Sequence, residues 1–209
     1  MKTVILIKGA KRSGKDTTAD IMLRLMQCYS ATRLSFAEPM KEIMADTFDI
    51  SLSELDALKN QQEPMNYGFE IDRGVREHTS NFRQILQRFG TEAMKKQFGD
   101  DVWAELLYNK IHSDITIVSD WRFKSELEYL KSKDDVKVIT VEVVRVGQIN
   151  KDTHISERDL DDVKCDFKLE NITGEMEVLE CQVDAMIACI PKQKNMVEYF
   201  DYFKCGKIC

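Results

Sequence analysis

The 209-residue chain has no apolar run long enough to cross a membrane. Its amino end meets Lys8 too soon to hold the apolar core of a secretory signal. Six cysteines (28, 165, 181, 189, 205 and 209) include no Cys-x-x-Cys pair, so metal-ligand spacing of that kind is missing and reduced thiols in a cytoplasmic protein are expected. There is no internal repeat, no low-complexity tract and no Pro/Gly/Ser linker, so one domain, or one domain with an inserted lid, is expected. A net charge of −6 speaks against a nucleic-acid surface as the main function. Neither an Asp-x-x-Gly switch nor an Asn-Lys-x-Asp guanine reader occurs, which counts against a GTPase.

What is present is concentrated at the start. Residues Lys2 to Lys15 hold five basic residues and no acid, which focuses positive potential in an otherwise acidic protein. Within them an apolar run, Val4-Ile5-Leu6-Ile7, meets Gly9-Ala10-Lys11-Arg12-Ser13-Gly14-Lys15, and a helical pattern follows at once. That order is the one a phosphate-binding loop needs. Glycines let backbone N–H groups turn inward, and the helix presents its positive dipole end to the same anion. Lys15 then reaches the β/γ phosphates of a bound nucleoside triphosphate. The residue after it is Asp16, followed by Thr17, where Ser or Thr commonly supplies a hydroxyl to Mg²⁺.

Along the rest of the chain, strands are expected at 4–8, 33–37, 115–119, 136–144 and 166–169. Helices are expected at 15–28, after Pro39, at 81–89 ended by Gly90, from a Thr91 cap to Phe98, at 101–112, at 124–131 and over 176–190. The segment 50–80 reads as short helices and a loop. Alternation of strand and helix predicts a three-layer α/β/α fold with about five parallel strands and helices on both faces. Ligands of such sheets sit beyond the carboxyl ends of the strands. Charge stands there: Lys11, Arg12 and Lys15 after the first strand, Lys41 soon after the second, Asp120 and Arg122 after the third, and Arg145 at the end of the fourth. Phosphoryl transfer between two anions requires positive charge spread around the moving group.

Gly9 to Asp20 resembles the P-loop of bacteriophage deoxynucleoside monophosphate kinases, which also read Lys-Arg-Ser-Gly-Lys-Asp-Thr-Thr. Three later stretches agree with that family: Arg83-x-x-x-Gln87-x-x-Gly90-Thr91, Asp120-x-Arg122, and Arg145-x-Gly147-Gln148 leading to Asp152–Glu157, with Asn171 before the last helix. The resemblance implies an adenylate-kinase-like domain over 1–190 that moves the γ-phosphate of ATP, with Mg²⁺, to a deoxynucleoside 5′-monophosphate. It implies a lid at about 146–164, a variable substrate-side segment at about 50–80 and a tail of unassigned role at 191–209. Arg12, Gly14, Lys15, Asp16 and Thr17 would hold the ATP phosphates, with Asp16 or Thr17 on the metal. Lys11, Lys41, Arg83, Gly90, Thr91, Trp103, Asp120, Arg122 and Glu126 would surround the monophosphate. Lys15, Asp16, Arg122 and Arg145 would carry the transfer. Trp103 fits core packing as well as base stacking, and Glu126 fits a solvated helix surface as well as a ligand contact.

Small nucleotides are thus the expected partners, and neither nucleic acid nor membrane is. An apolar strip in the tail (Met196, Val197, Tyr199, Phe200 and Phe203) suits a homodimer contact. The alternatives are a P-loop kinase of the dephospho-coenzyme A or phosphomevalonate type, or a non-catalytic nucleotide-binding module. A sensor has no need of the second phosphate site that the basic residues outside the loop suggest.

Overall fold

The computed structural model describes residues 1–27, 29–60, 65–71, 74–80, 82–148 and 159–190, with side chains described outside 60–81. The chain forms two compact units, Met1–Ser35 with Tyr108–Cys209, and Phe36–Leu107.

The first unit is built on five parallel strands: β1 (Lys2–Lys8), β2 (Ala31–Leu34), β5 (Ile115–Val118), β6 (Val136–Arg145) and β7 (Phe167–Asn171). Their order across the sheet is β2-β5-β1-β6-β7, so the first strand lies in the middle. Val4 to Ile7 have no solvent exposure, as expected of a central strand covered on both faces. Register aligns Leu6 with Val118, Lys8 with Glu142, and Arg145 with Asn171, which brings the carboxyl ends of neighbouring strands to one edge.

Helix α1 (Lys15–Leu25) and helix α8 (Met176–Cys189) pack together on one face of the sheet. Ala19, Met22, Leu179, Val183 and Met186 share a core there with Ile5, Ile7, Ile117 and Val141. Helix α7 (Lys124–Lys131) packs against β6 and buries Leu127 and Leu130. The expected α/β/α architecture is therefore present. No helix among the described residues is long and apolar enough to cross a membrane.

The second unit holds α2 (Glu38–Phe48), α3 (Leu52–Asn60) and a two-stranded antiparallel hairpin, β3 (Met65–Ile71) with β4 (Gly74–Ser80). The hairpin corrects the loop expected over 50–80. Met65, Tyr67, Phe69 and Ile71 alternate with polar or small residues, the period-two signature of a strand.

A second correction concerns Gly90. It does not end a helix: α4 (Phe82–Gln87) continues through a π-helical stretch, Arg88–Lys95, into α5 (Lys96–Phe98). The break comes at Gly99, whose φ of +104° favours glycine. Helix α6 (Val102–Asn109) follows. Met44, Ala45, Leu55, Phe82 and Leu86 form this unit's core.

Candidate functional site

The loop between β1 and α1 is shaped by close backbone approach. A Cβ on Gly9 would meet the Val143 carbonyl at 2.3 Å, and one on Gly14 would meet the Asn171 amide nitrogen at 2.2 Å. Gly14 is also left-handed at φ +104°, and Arg12 adopts φ +65°. Left-handed residues alternating with right-handed ones turn successive N–H groups to one side, the geometry of an anion nest. Lys15 folds back over the loop, its Nζ donating to the carbonyls of Gly9 (2.6 Å) and Ala10 (2.8 Å). The Ser13 hydroxyl is buried and has no hydrogen-bond partner among the described residues.

Asp16, the unusual residue of the loop, is tied to two neighbouring strands. Its Oδ1 accepts hydrogen bonds from Arg33 Nη2 on β2 and from Ser119 Oγ (3.0 Å) just past β5. Arg33 Nη2 also donates to Ser119 Oγ (2.7 Å), and its Nη1 donates to Asp20 Oδ1 (2.9 Å) one helical turn below Asp16. Thr18 Oγ1 donates to the Gly14 carbonyl at 2.9 Å, which leaves Thr17, not Thr18, facing the cleft beside Lys15.

Beyond β5, Asp120 Oδ2 accepts from the Ser35 hydroxyl at 2.7 Å. Glu126, only 3% exposed, accepts at 3.0 Å from the backbone N–H groups of both Arg122 and Phe123. Its carboxylate therefore caps α7 and fixes the Arg122 backbone, and it is not a solvated surface group. From the end of β6, Arg145 Nη1 donates to the carbonyl of Arg12 and Nε to Thr173 Oγ1, both at 3.2 Å. Gln148 Nε2 donates to the carbonyl of Lys11 at 2.6 Å. Residues 149–158 of the expected lid, with the Asp152–Glu157 stretch, lie outside the described residues, as does the tail from 191 with its apolar strip. The returning arm is fastened to α7: Lys124 N–H donates to Asp159 Oδ2 (2.8 Å), and Lys124 Nζ pairs with Asp162 at 2.7 Å. That hydrogen bond raises the lysine and lowers the aspartate from their ordinary pKa values.

Two clefts meet along this edge. One, of about 300 Å³, is lined among others by Gly9, Lys15, Asp120, Arg122, Arg145 and Gln148. The other, of about 470 Å³, is lined by Arg12, Gly14 to Thr17, Arg145, Asn171 to Gly174 and Met176. Lys15 and Arg145 line both. A cationic pair standing between two cavities can neutralise a group passing from one to the other.

Of the residues singled out in the sequence, Lys11, Arg12, Gly14 to Thr17, Asp120, Arg122 and Arg145 come together on the first unit's strand-end edge, with Glu126 behind them. Lys41, Arg83, Gly90, Thr91 and Trp103 belong to the second unit. There Lys41 pairs with Asp56 at 2.8 Å. Trp103 is 5% exposed and donates its indole N–H to the Gly90 carbonyl at 3.1 Å, so it is a core residue. A Cβ on Gly90 would meet Met40 Sδ at 2.8 Å, which accounts for glycine within the π-helical stretch. Arg83 stands in the first turn of α4, and Thr91 in the π-helical stretch.

Sequence reasoning did not single out Arg33, Ser119 or Thr173. Arg33 and Asp16 are seventeen positions apart and meet only through the sheet order, so no local signal marks the pair.

A family model described as deoxynucleotide monophosphate kinase matches residues 3–82 and 75–183. The deoxynucleotide monophosphate kinase of Enterobacteria phage T4 is 25% identical over 235 aligned positions, covering 84% of this chain and 95% of that protein. The enzyme of the same name from Escherichia phage RB69 is 23% identical, covering 88% of this chain and 99% of that one.

Proposed function

The chain belongs to the deoxynucleotide monophosphate kinase family and is a nucleotide kinase; from this we propose that it transfers the γ-phosphate of ATP to a deoxynucleoside 5′-monophosphate, giving the diphosphate and ADP. The observation that carries the reading is the pair of clefts joined at Lys15 and Arg145. The donor occupies the cleft of the phosphate loop, with its phosphates on Arg12 and the Gly14–Thr17 backbone. The acceptor's phosphate takes the other cleft, which Asp120 and Arg122 line, with Lys11 assigned to it by the family resemblance. Lys41, Arg83, Gly90 and Thr91 are assigned to acceptor binding by the family resemblance, and within their own unit Trp103 holds the Gly90 carbonyl.

The donors near the loop suit Mg²⁺. Asp16 and Thr17 offer hard oxygens beside the loop, the donor chemistry of an ion that keeps its waters and shares one or two carboxylates with substrate phosphates. When bound, the ion would help neutralise charge on the donor phosphates. Asp16 and Thr17 would hold it.

The chain's own groups do the rest. Lys15 follows the γ-phosphoryl group, leaving the carbonyls of Gly9 and Ala10 for phosphate oxygens. Arg122 and Arg145 supply charge on the acceptor side and at the junction. Glu126 keeps the Arg122 backbone fixed, so little reorganisation is left for the moment of transfer. No covalent intermediate is needed, because positioning and charge neutralisation carry the rate.

The test is an ADP-release assay with ATP, Mg²⁺, each of the four dNMPs, the matching ribonucleotides and a blank without acceptor, with the diphosphate identified. Turnover that requires a dNMP supports the proposal. Equal ADP in the blank overturns it in favour of a hydrolase, and silence in every well points to a different acceptor.

A further inference from the structure

Arg33 is an exposed arginine, its side chain about a third accessible, that no step of the transfer described above uses. It sits on β2, at the edge of the sheet beside β5. Its guanidinium meets three oxygens: Asp16 Oδ1, Asp20 Oδ1 at 2.9 Å and Ser119 Oγ at 2.7 Å. Asp16 and Asp20 are four residues apart on α1 and so lie on one face of it, where two like charges repel. A planar fork carrying one positive charge satisfies both carboxylates at once, which an ammonium group does less well. Ser119 closes the arrangement by donating its own proton to Asp16 Oδ1 at 3.0 Å.

This places a fixed positive charge against the loop residue that borders the donor cleft. Without Arg33, the first turn of α1 would present an uncompensated carboxylate where a triphosphate must enter. It would also present two carboxylates and a hydroxyl to any free divalent ion. We infer that Arg33 is a positioning and neutralising residue for Asp16: it lets the triphosphate approach the loop, and it reserves Asp16 so that divalent metal engages it only together with the nucleotide. This rests on the reading of Asp16 as a donor-side metal contact. The effect on the two ligands has opposite sign. Loss of the charge should weaken the anion and strengthen the free cation, whereas loss of a merely structural strap would weaken both or neither.

The experiment measures two affinities by titration: ATP in the presence of excess EDTA, and Mn²⁺ without nucleotide, read by electron paramagnetic resonance. The proteins are wild type, Arg33→Gln, Arg33→Lys, Asp16→Asn and the Arg33→Gln/Asp16→Asn double variant, each checked by circular dichroism. In Arg33→Gln, metal-free ATP should bind about three- to fivefold more weakly and nucleotide-free Mn²⁺ about three- to fivefold more tightly, the scale of an exposed, solvent-screened charge. Arg33→Lys should return both most of the way, and adding Asp16→Asn should cancel both changes. Asp16→Asn alone should tighten metal-free ATP, which keeps the inference testable should Arg33→Gln fail to fold. Affinities that stay unchanged, or that fall together, overturn it. Failure of the kinase reading has a separate signature: wild-type protein without dNMP-dependent turnover, whatever the two binding constants do.

Discussion

The side-chain amide of Asn171 donates to the carbonyl of Ser13 at 2.8 Å, joining the end of the last strand to a loop 158 residues earlier. The same amide lies where a Cβ on Gly14 would stand. The loop is thus held from outside as well as by its own glycines, and its left-handed residues are kept in place by a neighbour that borders the cleft assigned to the donor.

From this contact, Asn171→Ala should raise the KM for ATP about three- to tenfold, the loss expected of one hydrogen bond to a preorganised loop, with kcat within about threefold of wild type. Steady-state kinetics at saturating dNMP measure it. A fall in kcat with unchanged KM would place Asn171 in the transfer step instead.

How much of this was legible in the sequence depends on how local each signal is. The phosphate loop is a local object, strand to glycines to helix, and it stands where the residues put it. The parallel sheet follows from alternation, and the strand ends carry the charges expected of them. The Arg33–Asp16 pair is not local: it exists because β2 lies beside β5, and nothing at either residue announces its partner. Gly90 was misleading because glycine after a helical run resembles a stop, whereas here it makes room for Met40 and leaves its carbonyl to the Trp103 indole. The β3–β4 hairpin was hidden because Pro64, Gly68 and Gly74 outweighed the alternation of Met65, Tyr67, Phe69 and Ile71.

Lys15→Ala and Arg122→Ala should separate binding from transfer. Lys15→Ala removes one of the two cations shared by both clefts and should lower turnover by about a thousandfold or more. Arg122→Ala should lower transfer by about a hundredfold while ATP affinity stays within about twofold, because Arg122 lines only the cleft assigned to the acceptor. Equilibrium binding of an ATP analogue, measured beside the kinetics, distinguishes the two. Near-normal transfer by either variant would remove that residue from the mechanism.

Glu126→Ala should behave differently from both. The buried carboxylate satisfies two backbone N–H groups at the start of α7, so its loss should cost about 1–3 kcal/mol of folding stability, measured by chemical denaturation. Turnover should fall as well, since the Arg122 backbone loses its anchor. Glu126→Gln keeps one acceptor oxygen and should recover part of both losses. If Glu126 met the acceptor directly, the alanine variant would raise the dNMP KM and leave stability unchanged.

The last prediction concerns pH and the pair Asp166–Thr140, which ties the entry of β7 to β6. Asp166 Oδ2 accepts from the Thr140 backbone N–H (2.8 Å) and hydroxyl (2.7 Å), and the Asp166 N–H donates back to that hydroxyl oxygen at 3.0 Å. Partial burial alone would raise this carboxyl, but the two bonds from Thr140 and the nearby Lys131 charge outweigh it and hold it below the usual aspartate range. A carboxyl whose pKa is lower folded than unfolded favours the folded state above its unfolded value, near pH 4, and loses that contribution as pH falls through the folded value. The residue is solvent-exposed overall, so screening limits the effect to less than about 1 kcal/mol. Asp166→Asn should therefore be slightly less stable than wild type at pH 7, with the gap narrowing from about pH 4 downward as pH falls toward the lowered folded value. Urea denaturation at pH 7, 5, 4 and 3 measures it. A gap of constant size across that range would mean that the contact acts through its geometry and not through its charge.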